Sequence, residues 1–370
     1  MYEIGKEELS ALEDLFITKK FFRYQGSGVE TQTTFFEKEF SSLIGMNHSL
    51  FVTSGTNALI LAMEAMGIGE GDEVIIPTYT FIATANAVLS VKAIPVLCGT
   101  GNGLTLDPES LKVKITSKTK AIIPVHMDGL PCDMDAIMKI ASEKNLIVIE
   151  DVAQAVGGSY RGKRLGSIGD AGCFSFNVDK IISCGEGGLV TFRKEEHYKK
   201  SLKLHDTPVA FGMTFKEYLS DLPPSPAHSM RVSEIQSAMM RVQLKRLDPI
   251  LKTLRQKKQE WRKAASLLES SDPAGDCGTT VHFNLGDPNK AVAFAQNLTR
   301  EGIIAVPLYA KPAHCFWQWS SILGLTENES KRLSFELADE RMKLSSIVRV
   351  NVDYQSSVDE QINKIKGYLF

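Results

Sequence analysis

The sequence predicts an α/β fold, with a mostly parallel central sheet flanked by helices and a smaller C-terminal α/β domain. Two observations carry this. Short apolar runs recur from about residue 50 to 192, and several are continuously apolar, as strands buried on both faces are. Segments with spaced apolar positions and helix-forming residues lie between them, which gives the β-α-β-α order of an α/β domain.

The runs are Ser49–Thr53, Glu73–Pro77, Ile94–Cys98, Ala121–His126, Leu146–Asp151, Cys173–Phe176 and Gly188–Phe192. The intervening helical segments include Thr56–Met66, Ala83–Val91 and Asp133–Lys144, with Thr56 and Asp133 as candidate caps. Ligands of such a sheet are expected beyond the carboxyl ends of its strands. Ser220–His228 is polar and proline-rich and reads as a loop. A helical pattern then runs from Val232 to Leu268, with a break expected near Asp248-Pro249. It divides a large domain, residues 1–248, from a small one, residues 249–370. The small domain has strand-like pieces at Thr280–Asn284, Ile303–Val306 and Val348–Val352.

Bulk properties narrow the function classes. The 370 residues suffice for two domains of ordinary size. Lys and Arg number 42 against 44 Asp and Glu, a formal net charge of −2, so no basic excess points to nucleic acid. No apolar stretch approaches the roughly 18 residues of a membrane span, and the mixed, charged start lacks a signal-peptide core. Cys98, Cys132, Cys173, Cys184, Cys277 and Cys315 form no CxxC pair. That scatter suits free thiols in a reducing cytoplasm better than disulfides or a zinc site. His205 and His314 lack metal-ligand spacing, and no metal is assigned.

Three motifs carry chemistry. Ser54-Gly55-Thr56-Asn57 follows an apolar run and opens a helix. Glycine allows close backbone approach, and a helix N-terminus offers N–H groups and a positive dipole end to a phosphate. The plainer alternative is a capped strand-to-helix turn. Glu150 and Asp151 end the run LIVIE, where a buried carboxylate needs a partner such as a protonated pyridine nitrogen. A helix cap or structural ion pair is the alternative. Lys180 lies just past a strand and close to the glycine-rich Gly185–Gly188 turn. A lysine nucleophile must be deprotonated, which burial favours, whereas most lysines are solvated surface charges.

Taken together, these elements fall within a longer likeness. The stretches TSGTNAL, GDEVIIPTYTFIATANAV, KTKAIIPVHMDGLPCDMDAI, EDVAQAVGGSYRGKRLGSIGDAGCFSFNVDK and GEGGLVTF resemble the DegT/DnrJ/EryC1/StrS family of sugar aminotransferases, which have the fold type I of pyridoxal-phosphate (PLP) enzymes. MRVSEIQSAMMRVQLKRLD and GIIAVPLY resemble its downstream segments.

The resemblance implies pyridoxal 5'-phosphate as cofactor, held by Lys180 as a Schiff base, with Lys180 also the catalytic proton carrier. Asp151 would pair with the pyridine nitrogen, Gln154 would contact the ring hydroxyl region and Phe81 would stack on the ring. Gly55, Thr56 and Ser175 would hold the phosphate, with Glu186 and Arg231 toward the substrate. Core packing remains the alternative for Phe81 and a simple strand hydroxyl for Ser175. Phe174 and Phe176 read as core, and His126 as a satisfied buried histidine or a proton carrier.

The implied activity is transfer of an amino group from an amino acid, with L-glutamate expected, to a keto or aldehydo sugar, by a homodimer. The dehydratase branch of the family has histidine where Lys180 stands. Other readings left open are a PLP-binding regulatory protein of the same fold and a nucleotide-binding α/β enzyme without PLP. Acceptors outside the nucleotide-linked sugars are open too, an aminocyclitol precursor or an octulosonate. The VHMDG and FSFNVDKIISCGEGG segments and FFRY resemble the octulosonate branch. Two departures from the family stand out. Gly99 replaces a common acidic residue, and Ser229-Met230-Arg231 stands where Asn-aromatic-Arg is common.

Overall fold

The structure, a computed structural model, describes residues 3–24, 29–210, 215 and 217–368. Two helices precede the sheet, α1 (Lys6–Thr18) and α2 (Gln32–Ile44). The α/β region then runs β1 (His48–Val52), α3 (Gly55–Ala65), β2 (Glu73–Pro77), α4 (Ala83–Ser90), β3 (Ile94–Cys98), α5 (Pro108–Lys114), β4 (Thr119–Ile122), α6 (Met134–Lys144) and β5 (Ile147–Asp151). A two-stranded ribbon, β6 (Ser159–Tyr160) and β7 (Lys163–Arg164), leads to β8 (Ala171–Ser175), β9 (Gly188–Phe192), α7 (Glu195–His205) and α8 (Thr207–Ala210). The long helix α9 (Glu234–Ala264) follows. The C-terminal part is β10 (Thr280–Asn284), α10 (Pro288–Arg300), β11 (Ala305–Pro307), α11 (Glu327–Glu336), α12 (Ala338–Ser345), β12 (Ile347–Asn351) and α13 (Val358–Ile365).

The central sheet has seven strands in the order β1-β9-β8-β5-β4-β2-β3. Four of its pairings, from β8 to β3, are parallel, and β9 is antiparallel to both its neighbours. Its two faces feed two cores. Val74, Ile76 and Ile149 pack on one side, and Ile75, Val148 and Phe174 on the other. Apolar residues at both parities of a strand produce the continuous runs seen in the sequence. Phe174 and Phe176 are fully buried and join Phe36, Phe40 and Phe51 in an aromatic cluster.

Several local expectations shift, each for an identifiable reason. Helix α3 is capped by Ser54, whose hydroxyl accepts from the Asn57 amide, and not by Thr56. The expected strand Ala121–His126 ends at Ile122. Pro124 has no N–H, although its carbonyl still accepts from the Asp151 amide at 2.9 Å. The expected break at Asp248-Pro249 is absent, and α9 continues through it. Leu247, Ile250, Leu251 and Leu254 are all buried there, so tertiary packing overrides the lost backbone hydrogen bond. The strand expected at Ile303–Val306 is displaced to Ala305–Pro307, because Ile303 still closes the end of α10 through the Leu298 carbonyl. Helices α1 and α2 pack on α9, with the buried Glu8 bonded to Gln243 and Arg246 and with Arg241 paired to Glu39.

The small sheet has the order β10-β12-β11, all antiparallel. Glu340 on α12 ties this part to the sheet edge. Its carboxylate accepts from Thr78 Oγ1 at 2.9 Å, from the Thr100 amide at 2.9 Å and from Thr100 Oγ1 at 2.6 Å. A Cβ on Gly99 would lie 3.7 Å from Glu340 Oε2. The carboxylate missing from position 99 is thus supplied from α12.

Candidate functional site

The carboxyl ends of β1, β2, β4, β5 and β8 open into a cavity of about 820 Å³, closed on its far side by residues of the small sheet. Gly55, Thr56, Phe81, Asp151, Gln154, Ser175, Lys180 and Glu186 all line it. Arg231 does not. It lies on the far side of β1, paired with Asp206 and stacked over the Phe22 ring at 5.6 Å.

The anion-cradle geometry comes from a tight approach of two turns. A Cβ on Gly55 would fall 2.9 Å from the Ser175 Cβ, so the start of α3 lies against the end of β8. The Gly55 and Thr56 amides at the start of α3 therefore lie at one corner of the cavity with the Ser175 and Thr56 hydroxyls. A phosphate fits that donor set.

Asp151 sits at the end of β5, at 5% exposure. Its Oδ1 accepts from the Ala153 amide at 3.1 Å and its Oδ2 from Thr84 Oγ1 at 2.9 Å. Burial pushes its pKa up, against the pull of those two donors and the charge of Lys180. No described residue forms an ion pair with it. A buried carboxylate held by two neutral donors fits a protonated ring nitrogen as its missing partner.

Lys180 follows the end of β8 through a turn in which its amide bonds the Asn177 carbonyl at 3.0 Å. Burial lowers its ammonium pKa, while Asp151, Asp179 and Asp128 oppose the shift. A partly desolvated amine loses its proton more readily than a surface lysine. Phe81 is 44% exposed, with one neighbour being the His314 ring at 5.3 Å. A face left open to a cavity serves for stacking, not for core packing. Gln154 accepts from the Asp128 amide at 3.1 Å through Oε1, and Nε2 finds no partner among the described residues. That leaves a donor on a residue lining the cavity. Glu186 is exposed and accepts from Asn177 Nδ2 at 2.9 Å.

The neighbouring acidic residue has a different task. Glu150 is fully buried and accepts from the amides of Gly166, Ile168 and Gly169 at 2.7–2.9 Å. His126 Nδ1 accepts from the Cys132 amide, so its Nε2 carries the hydrogen and donates to Glu150 at 3.1 Å. His126 is a satisfied buried histidine.

Sequence reasoning passed over Thr84, Asp128, Lys311, His314 and Arg349, which also line the cavity. Thr84 lay inside an apparent helix face. The one available signal for Arg349 was a cation inside the apolar run IVRVN.

Comparison with known proteins gives a consistent result. The model of the DegT/DnrJ/EryC1/StrS aminotransferase family matches residues 3–362. The chain is 44% identical to GDP-perosamine synthase of Caulobacter vibrioides over 214 residues, 58% of this chain and 56% of that protein. It is 36% identical to UDP-N-acetyl-3-dehydro-alpha-D-glucosamine 3-aminotransferase of Acidithiobacillus ferrooxidans over 289 residues, 75% of this chain and 74% of that one. The matched part thus spans less than two thirds of the perosamine synthase. Among solved structures, 3-amino-5-hydroxybenzoic acid synthase superposes with a TM-score of 0.86 at 25% identity, covering 99% of this chain and 97% of that one.

Proposed function

The chain belongs to the DegT/DnrJ/EryC1/StrS aminotransferase family, and we propose that it moves an amino group from an amino acid, L-glutamate first among candidates, to a keto or aldehydo sugar, using pyridoxal 5'-phosphate. The observation that carries this reading is the convergence on one cavity of Lys180, of the buried Asp151, which has no ion-pair partner among the described residues, and of the Gly55–Ser175 corner. The named relatives, aminotransferases among them, support it.

Pyridoxal phosphate, when bound, supplies a ring that accepts electrons from the substrate carbon. The protein's part follows from its own atoms. The first turn of α3 and the hydroxyls of Thr56 and Ser175 bind the phosphate. Asp151, held by Thr84 and Ala153, would keep a ring nitrogen protonated. Phe81 would offer its open face to the ring, and Gln154 Nε2 would offer a donor to it. Lys180 would hold the cofactor through its Nζ and, when released, would serve as the base that moves a proton at the substrate carbon. Burial favours the neutral amine that this needs.

We take the active species to be a cytoplasmic homodimer. All six cysteines are free and buried, in keeping with a reducing compartment. Leu9, Phe16, Ile17 and Phe22 are 47–73% exposed, an apolar surface suited to a second copy. Light scattering on the active, cofactor-loaded protein should give twice the chain mass.

The test of the activity is spectroscopic. The purified protein with PLP should show the absorbance band of lysine-bound cofactor, and L-glutamate should discharge it with release of 2-oxoglutarate. Lys180→Ala should abolish both. A wild type that binds PLP yet ignores glutamate and other amino donors would leave a PLP-binding protein without transamination. Failure to bind PLP would overturn the reading entirely.

A further inference from the structure

Between β4 and α6 the chain makes a turn that joins three parts of the cavity wall. Its middle residue, Asp128, is buried and sits in the left-handed region, at φ 54, directly before Gly129 at φ 84. Aspartate tolerates that conformation at some cost, and such strain persists where the surroundings fix it. Here they do. A Cβ on Gly129 would fall 2.8 Å from Thr279 Oγ1, so the turn is pressed against the chain leading into β10. The Gly129 carbonyl accepts from the Cys277 amide at 3.0 Å. The Asp128 carbonyl accepts from Thr279 Oγ1 at 2.8 Å and from Thr280 Oγ1 at 3.0 Å. On the other side, the Asp128 amide donates to Gln154 Oε1 at 3.1 Å.

The carboxylate divides its two oxygens. Oδ2 accepts from Tyr79 OH at 2.7 Å and from His282 Nε2 at 3.1 Å, and Oδ1 accepts from Arg349 Nε at 2.6 Å. Burial opposes its ionisation, but Arg349 and His282 outweigh burial and hold its pKa well below the usual carboxylate range. Arg349 NH1 also donates to Asn351 Oδ1. Two nitrogens of the guanidinium are thus held by acceptors set in the wall, and Arg349 lines the cavity that Lys180 lines. The proton transfer assigned to Lys180 uses none of these bonds. They decide where the guanidinium stands, since an arginine side chain left free samples many rotamers.

We propose that Asp128 is a positioning residue: its carboxylate fixes the Arg349 guanidinium and its amide fixes the Gln154 side chain. One buried residue thereby registers a cation of the small sheet, presented to the substrate, against the cofactor side of the large sheet. The two arms are separable. The amide survives a side-chain substitution, and the carboxylate does not. The proposal rests on the aminotransferase reading above and adds to it a residue that acts through its neighbours.

The test uses the PLP-loaded enzyme and L-glutamate, whose carboxylates suit a guanidinium. Asp128→Asn keeps the size and the tolerance of the left-handed region, but it sets an amide NH2 where a donor needs an acceptor. The KM for L-glutamate should rise roughly 10-fold, the scale of one charge-assisted hydrogen bond. With only uniform binding lost, kcat should stay within about twofold. The cofactor band should keep its position, because the amide still holds Gln154. Asp128→Gly also suits the backbone and should behave alike, so either soluble variant decides. In an Arg349→Lys background, which keeps a cation for Asp128, Asp128→Asn should add less than about twofold to KM. Tyr79→Phe takes a donor from Oδ2 and leaves Arg349 on Oδ1. It should lower the urea midpoint and leave KM unchanged. An unchanged KM in the Asp128 variants overturns the proposal, as does a fall in kcat or a displaced band in place of the KM rise. Additive effects in the double variant overturn it too. So does a KM rise in Tyr79→Phe equal to that in Asp128→Asn, or insolubility of both Asp128 variants, since the residue would then serve the fold alone. A wild type without the band, or deaf to amino donors, instead removes the aminotransferase reading beneath it.

Discussion

Replacing Thr84 by valine removes one hydroxyl from the wall of the proposed cofactor site and nothing else of size. Thr84 is 1% exposed, on α4, and its Oγ1 donates to Asp151 Oδ2 at 2.9 Å while Thr80 Oγ1 lies 2.8 Å away. Valine fills the same volume, and Thr80 can turn to the Phe81 carbonyl, now 3.4 Å off. The loss is therefore one hydrogen bond to a buried charge, about 1.5–3 kcal/mol. It falls on the ionised form of Asp151, and the carboxyl pKa moves further in the direction in which burial already drives it. A more basic carboxylate would compete better for the proton it is meant to leave on the ring nitrogen. Rate measurements on the glutamate half-reaction should then show a loss of roughly 10- to 150-fold in kcat/KM. The assay is stopped-flow decay of the cofactor band, with circular dichroism to confirm the fold. Thr84→Ser keeps the donor and should stay within about threefold of wild type. A Thr84→Val enzyme with wild-type rates would mean that Asp151 does not depend on this bond for its charge, and the account of the site would be wrong there.

Two further outcomes follow from the buried polar groups. Glu150→Gln keeps the shape but turns an amide NH2 toward amide donors at Gly166, Ile168 or Gly169, so urea unfolding should show a loss of about 2–4 kcal/mol; a loss too small to measure would show that the β5–β8 connection does not need this acceptor. His205 is buried and neutral, its Nδ1 bonded to the Leu202 carbonyl at 2.6 Å and its Nε2 to Tyr24 OH at 3.0 Å, and burial takes its pKa from 6.5 to about 3. Its folded pKa is depressed, so the unfolded chain binds the proton first, and the stability this group contributes is present above 6.5 and lost as pH falls toward about 3. Stability measured against pH should decline across that window, and His205→Gln should flatten the decline; an unchanged slope in the variant would refute the assignment.

Much of this protein is written locally. Strand positions 73–77, 94–98, 188–192 and 280–284 are legible to the residue, because burial on both faces or strict register leaves no other pattern for those side chains. The cofactor motifs are legible for a similar reason. Gly55 must have no Cβ against Ser175, and a strand-end carboxylate and lysine sit in one stretch of chain. Other features depend on partners far away in sequence. Whether Pro249 breaks a helix depended on the apolar contacts of Leu247 to Leu254. Whether Glu150 or Asp151 faces the cavity depended on strand parity and on the Gly166–Gly169 turn. The absent acid at Gly99 was answered by Glu340, 241 positions on and invisible to any local pattern. The Asp128, Lys311 and Arg349 wall exists only because the small sheet folds back across the ends of the large one. Sequence by itself determined the fold class and named Gly55, Asp151, Ser175 and Lys180, which the structure brings to one cavity, because they lie in contiguous motifs. Tertiary structure alone decided that Asp128, Lys311 and Arg349 share that cavity, because charges from three distant segments interact strongly only when packing brings them within reach of one another and out of water.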